Sequence, residues 1–281
     1  MTTSRPISHI IEPQYVIEGA GVLLRRSFAP RVSNEYDPFL LFDHFAFNDP
    51  VEGPPVGFPT HPHRGIETVT YMLEGSVRHR DSLGNAGLIG PGDVQWMTSG
   101  RGILHEEMPR RGPSGVINGF QLWVNLPAAQ KMTAPRYQEV SAATIPSVKR
   151  DGASVRLVAG QLDDVTGPVT EIAAAPLYLE AGLGPEASFV IHVPRGHTTL
   201  AYVFEGTGRF GAGSDMVDAV KMVVFGEGDQ VEVESEAGVR FMLIAGMPFG
   251  EPIVPYGPFV MNTAEEIRQT LMELRSGTFI K

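Results

Sequence analysis

Two short stretches hold the residue types that could do chemistry: His61-Pro62-His63-Arg64-Gly65-Ile66-Glu67 and, further on, His105-Glu106-Glu107. On a β-strand successive side chains alternate faces, so His61 and His63 point the same way, and so do His105 and Glu107. Two such pairs facing each other offer three neutral imidazoles and one carboxylate. That mixed nitrogen and oxygen set suits iron, nickel, copper, cobalt, manganese or zinc. Four protein ligands on a metal that prefers six leave two positions for water, O2 or a chelating substrate. Glu106 falls on the opposite face and is expected outside the site. Glu67 has two readings: a further ligand, or an acceptor that orients a histidine through its second ring N–H. The remaining histidines, His9, His44, His79, His192 and His197, read as structural or solvated.

Elements able to position these residues are legible as strands. Residues 15–17 and 22–26 are short strands, Phe39–Phe47 is a continuous apolar run suited to a buried strand, and a Pro- and Gly-rich loop over 48–59 delivers the chain to His61. Residues 67–75 are β-branched and aromatic and end on glycine, a strand running into a turn. Asp81 to Asn85 is another turn; Gly90-Pro91-Gly92-Asp93 is a tight turn feeding a strand through Trp96, and residues 120–127 close the half. The stretch 127–146, with its prolines, reads as the connection between two halves. Trp96, Trp123, Phe45 and Phe47 are candidates to wall an apolar pocket over the metal. The C-terminal segment carries the one convincing helix: Thr263 and Glu266 form a capping box, Ile267, Leu271 and Leu274 an apolar stripe, and Gly277 a C-cap.

The second half repeats the first. Residues 61–75 and 192–206 align without a gap, matching the first His, Arg-Gly, Thr, Tyr and Glu-Gly. In the copy Pro194 replaces His63, Thr198 replaces Glu67, and Phe241 and Leu243 fall near where His105 and Glu107 would be, so the second half is expected to bind no metal. Recurrence of Arg64-Gly65 as Arg195-Gly196 in that copy gives both a structural role. The expected division is a metal-binding domain over 1–135 and a degenerate one over 136–281.

Bulk properties exclude several classes. A chain of 281 residues with 32 Gly, 23 Pro and 42% hydrophobic residues is an all-β protein of many short strands and tight turns. Its net charge of −10, with no basic run, argues against direct nucleic-acid binding. Without a cysteine, disulfides, thiolate ligands and thiol nucleophiles are ruled out. No apolar core of a secretory signal and no membrane-spanning run is present, so a cytoplasmic location is expected.

The stretches 61–75, 92–109, 121–127 and 256–263 together resemble the pirin family of the cupin superfamily, nearly end to end. The resemblance implies two cupin β-barrel domains of jelly-roll (double-stranded β-helix) type with a short C-terminal helix, and one mononuclear metal, most often iron(II), in the N-terminal domain. The family's ligands fall on His61, His63, His105 and Glu107, the set that strand alternation selects; in pirins the Glu67 position is not a ligand. Two functions are implied. One is a quercetin 2,3-dioxygenase-like enzyme acting on a flavonol with O2; as the only carboxylate among the ligands, Glu107 is the natural base, and a monomer is expected. The alternative is an iron- and redox-dependent module that binds a protein partner such as a transcription factor.

Overall fold

The computed structural model describes residues 2–47, 57–211 and 213–281. The chain opens with strands β1 (Ile7–Ile11), β2 (Gln14–Glu18), β3 (Val22–Phe28), β4 (Phe39–Phe47), β5 (Phe58–His63) and β6 (Ile66–Glu74). It continues with β7 (Ser76–Asp81), β8 (Ala86–Ile89), β9 (Val94–Thr98), β10 (Ile103–Arg110), β11 (Ile117–Asn125) and β12 (Arg136–Val140). Strands β2, β3, β4, β6, β9 and β11 match the expected ones, β5 and β10 carry the two histidine stretches, and β1, β7, β8 and β12 are additional; the turns behave as their residues dictate. Asp93 accepts from Gly90 N at 2.8 Å, and Asp81 accepts from the backbone of Leu83 and Asn85. The expected loop over 48–59 lies outside the described residues up to residue 56, as does the side chain of Phe47.

The compact units are not separated by one cut. Gln14–Ala142 groups with Phe249–Lys281, and Met1–Pro13 groups with Ala143–Pro248. The division at 135/136 is therefore corrected at both termini. The physical reason is strand-edge pairing: β1 hydrogen-bonds to the strand Lys221–Phe225, and nothing in its local pattern names that partner. The stretch 127–146 is also more than a connection, because β12 extends the sheet of the first unit by pairing with β9.

In the unit formed by Gln14–Ala142 and Phe249–Lys281, a seven-stranded antiparallel sheet runs in the order β12-β9-β6-β11-β4-β3-β2. A four-stranded sheet runs β5-β10-β7-β8. Val22, Leu24, Phe45, Met72 and Ile117 from the first sheet meet Val77 and Ile89 from the second, so the core lies between the two sheets. The helix α1 (Ala264–Ser276) starts at the Thr263–Glu266 capping box and stops at Gly277, whose φ of +72° glycine adopts readily. Ile267 is buried with Phe259, Met261 and Phe279, while Leu271 is only partly covered and Leu274 is exposed.

The other unit is built on a ten-stranded sheet with a core that includes Phe189, Phe210, Phe241 and Leu243. Phe241 and Leu243 are fully buried there, and His192, the counterpart of His61, faces outward at the end of the strand Ala187–His192. Among the described residues, no helix is long and apolar enough to cross a membrane.

Candidate metal centre

Strands β5 and β10 pair antiparallel with His105 directly opposite His61 and Ile103 opposite His63. Alternation then puts all three imidazoles on one face, and their ligating nitrogens lie within 4.8 Å of one another. His61 Nδ1 is 2.9 Å from the Pro59 carbonyl and His63 Nδ1 is 3.3 Å from the Pro258 carbonyl. A carbonyl only accepts, so both rings donate through Nδ1 and carry their lone pairs on Nε2. Those two Nε2 atoms are 3.1 Å apart, an arrangement that is repulsive unless a cation lies between them. Two nitrogens held at right angles about 2.1 Å from a metal are roughly 3.0 Å apart. Both ring nitrogens of His105 are buried without a hydrogen-bond partner among the described residues, which a ligated imidazole would explain.

Burial keeps the His63 and His105 rings neutral. It pushes His63 down to about 3, with His61 adding to the effect, and it pushes His105 well below its ordinary range with His63 and His61 contributing. Uncharged imidazole is the form that binds metals, so the residues present fit the group.

Glu107 stands beside the three histidines and not within their cluster: its Oε2 is 4.0 Å from His105 Nε2, outside the set whose ligating atoms all lie within 4.8 Å of one another, and its Oε1 lies 3.3 Å from the Thr70 hydroxyl. Burial raises its carboxyl, opposed by His61 and the Thr70 hydrogen bond. Glu106 faces away and pairs with Arg80 at 2.7 Å, as alternation requires. Glu67 does neither thing expected of it. It accepts from Trp96 Nε1 at 3.0 Å and from Thr98 Oγ1 at 2.7 Å, with no histidine as its partner. The reason is register: Glu67 is opposite Thr98 and shares a sheet face with Val69, whereas Thr70, on the other face, is the residue that meets Glu107.

A cavity of about 400 Å3 opens on His61, His63 and Glu107. Phe45 and Trp123 line it as expected, Trp123 standing edge-on to His63 at 5.1 Å and 86°. Trp96 does not line it; it is fully buried against Glu67 on the other face of the sheet. Thr70, Gln121, Asp43, Arg26 and Glu18 also line the cavity and were not anticipated. Gln121 was within reach of a period-two reading, two residues before Trp123 on the same face; Thr70 lies inside the 61–75 stretch, and Asp43, Arg26 and Glu18 come from strands carrying no motif.

Arg64 and Gly65 are structural, as the repeat suggested. The Arg64 guanidinium bonds Glu273 at 2.6 Å and Thr270 at 3.0 Å, and lies 4.4 Å from the Phe279 ring centre. Gly65 has φ +79°, and a Cβ there would stand 2.2 Å from the Val260 carbonyl oxygen. Of the other histidines, His44 bonds Asn118 at 2.9 Å, and buried His79 meets Glu139 at 2.8 Å.

The family model described as "Pirin" matches residues 21–124, and that of the "Pirin C-terminal cupin domain" matches residues 178–280. A pirin-like protein of Caulobacter vibrioides is 44% identical over 277 residues, 98% of this chain and 99% of that protein. Pirin of Homo sapiens is 41% identical over 281 residues, 98% of this chain and 94% of that protein. A solved structure of quercetin 2,3-dioxygenase from Acinetobacter baumannii aligns with a TM-score of 0.90 at 33% identity, covering 99% of both chains.

Proposed function

The chain belongs to the pirin family, and on that premise we propose that it is a metal-dependent dioxygenase cleaving flavonols such as quercetin with O2. His61, His63, His105 and Glu107 would hold one divalent transition metal, with iron(II) the first choice. The observation that carries this reading is the pair of Nε2 atoms 3.1 Å apart, each on a ring whose Nδ1 faces a carbonyl, at the edge of a cavity large enough for a multi-ring ligand. The likeness to a quercetin 2,3-dioxygenase adds support at the level of relatedness.

When bound, the metal supplies Lewis acidity to the ligand's oxygens and redox chemistry towards O2. The rest falls to the chain's own residues. A flavonol presents a 3-hydroxyl beside a 4-carbonyl, and Glu107 takes the 3-hydroxyl proton. Thr70 keeps the Glu107 carboxylate aimed through the 3.3 Å contact. Trp123 offers an aromatic surface beside His63, where a flat ring can lie. The overall change, flavonol plus O2 to a depside plus carbon monoxide, balances without a further reductant.

The test is anaerobic loading with iron(II) followed by O2 uptake on adding quercetin. Uptake that needs both iron and flavonol, and is lost in His105→Ala, is the expected result. A fully loaded protein that takes up no O2 would move the reading to an iron- and redox-dependent module acting through a protein partner.

A further inference from the structure

Four consecutive strands of the seven-stranded sheet put a polar residue at the same level facing the cavity. Thr70 on β6 is the direct partner of Gln121 on β11, Gln121 of Asp43 on β4, and Asp43 of Arg26 on β3. Strand spacing makes this row roughly 14 Å long. It begins at Glu107, beside the candidate metal centre, and ends at Glu18 on β2. All six residues line the cavity, whose other walls are largely apolar.

The row is held rigid by its own bonds. Arg26 donates to both Asp43 oxygens at 2.8 and 2.7 Å and to Glu18 at 2.6 Å, and the Thr70 hydroxyl shares its one proton between Gln121 Oε1 at 2.8 Å and Glu107 Oε1 at 3.3 Å. It also has bonding capacity left. A carboxylate has about four lone-pair sites and a guanidinium five N–H groups, so Asp43, Glu18 and Arg26 each keep positions unused. The Gln121 amide nitrogen has no partner among the described residues. One guanidinium stands against two carboxylates, so this end of the cavity is net negative and disfavours an anionic ligand.

We propose that the row from Gln121 through Asp43 and Arg26 to Glu18 is a specificity subsite for the distal hydroxyl groups of a neutral, polyhydroxylated aromatic ligand, with Asp43 and Glu18 as the acceptors. A phenolic hydroxyl both donates and accepts, which matches this mixture of carboxylates, guanidinium and amide. The proposal deepens the dioxygenase reading and rests on it for which end of the ligand faces the histidines.

The test uses zinc-loaded protein, which does not turn over, titrated with quercetin, with galangin (the flavonol lacking both distal-ring hydroxyls), and with quercetin sulfated on the distal ring. The parent is expected to bind quercetin about tenfold or more tightly than galangin, because a site built to bond hydroxyls rejects the ligand lacking them. Sulfated quercetin is expected to bind about tenfold more weakly than quercetin. In Asp43→Asn the quercetin-to-galangin ratio should fall to about threefold or less. Should that variant fail to fold, Glu18→Gln, on a half-exposed side chain, should still lower the ratio and partly restore sulfate binding. Equal affinities in the parent, no binding of either flavonol, or an unchanged ratio in both folded variants would overturn the subsite. If the preference holds while iron-loaded protein consumes no O2, the dioxygenase reading falls and the subsite stands. If O2 is consumed with equal KM on both flavonols, the subsite falls and the dioxygenase stands.

Discussion

At the scale of single residues, the histidines were legible because strand alternation is a strict rule: residues two apart share a face wherever the chain is extended. Loss of one of them should be decisive. His105→Ala removes a buried nitrogen with no hydrogen-bond partner among the described residues, and calorimetric titration with iron(II) or zinc should show metal affinity lowered well beyond the roughly 10–100-fold typical of an orienting residue. Glu107→Gln should keep much of the metal through the three imidazoles and lose turnover, while Glu106→Gln, on the opposite face, should match the parent. Glu67 could not be read correctly from sequence, because its partners Trp96 and Thr98 arrive from another strand. With those partners known, Glu67→Gln is expected to leave metal affinity within about threefold. It should lower stability by about 1–3 kcal/mol, since an amide N–H then faces buried donors. Urea unfolding beside a metal titration separates the two effects, and an equal loss of metal to that of His105→Ala would restore Glu67 as a ligand.

Among the elements, the strands around the site and the capped helix followed their sequence signals closely, whereas what the helix packs on did not. Arg64, next to His63, is buried under α1 and bonded to Glu273. Burial alone would raise the Glu273 carboxyl, but hydrogen bonds from Gln269, Arg64 and Lys281 outweigh it and hold it down at about 2. A carboxyl whose folded pKa is depressed stabilises the fold above its ordinary value, near 4.3, and loses that contribution as pH falls towards the folded value. The Tm gap between parent and Glu273→Gln should therefore be widest above about pH 5 and close as the pH drops to about 2. A gap independent of pH over that range would mean the pair contributes nothing through charge.

Taken as a whole, the chain is an all-β bicupin with one short C-terminal helix, as the internal repeat and the family resemblance implied. The repeat was legible because Arg-Gly and Glu-Gly turns persist where the backbone demands them. Terminal exchange was not, because the sequence of β1 specifies an extended strand and not the edge it joins. With Phe241 and Leu243 filling the core of the second unit, one metal per chain is the expected stoichiometry. Removing it with a chelator should lower Tm in the parent and leave His105→Ala unmoved, since a ligand that binds only the folded state stabilises it by mass action.

Carbon monoxide is the most direct witness of the proposed reaction. Iron(II)-loaded protein mixed with quercetin and O2 in a sealed vessel should release one carbon monoxide for each quercetin and each O2 consumed, and Glu107→Gln carrying the same iron should release almost none. Oxygen consumption without carbon monoxide, or equal release from the Glu107 variant, would contradict it.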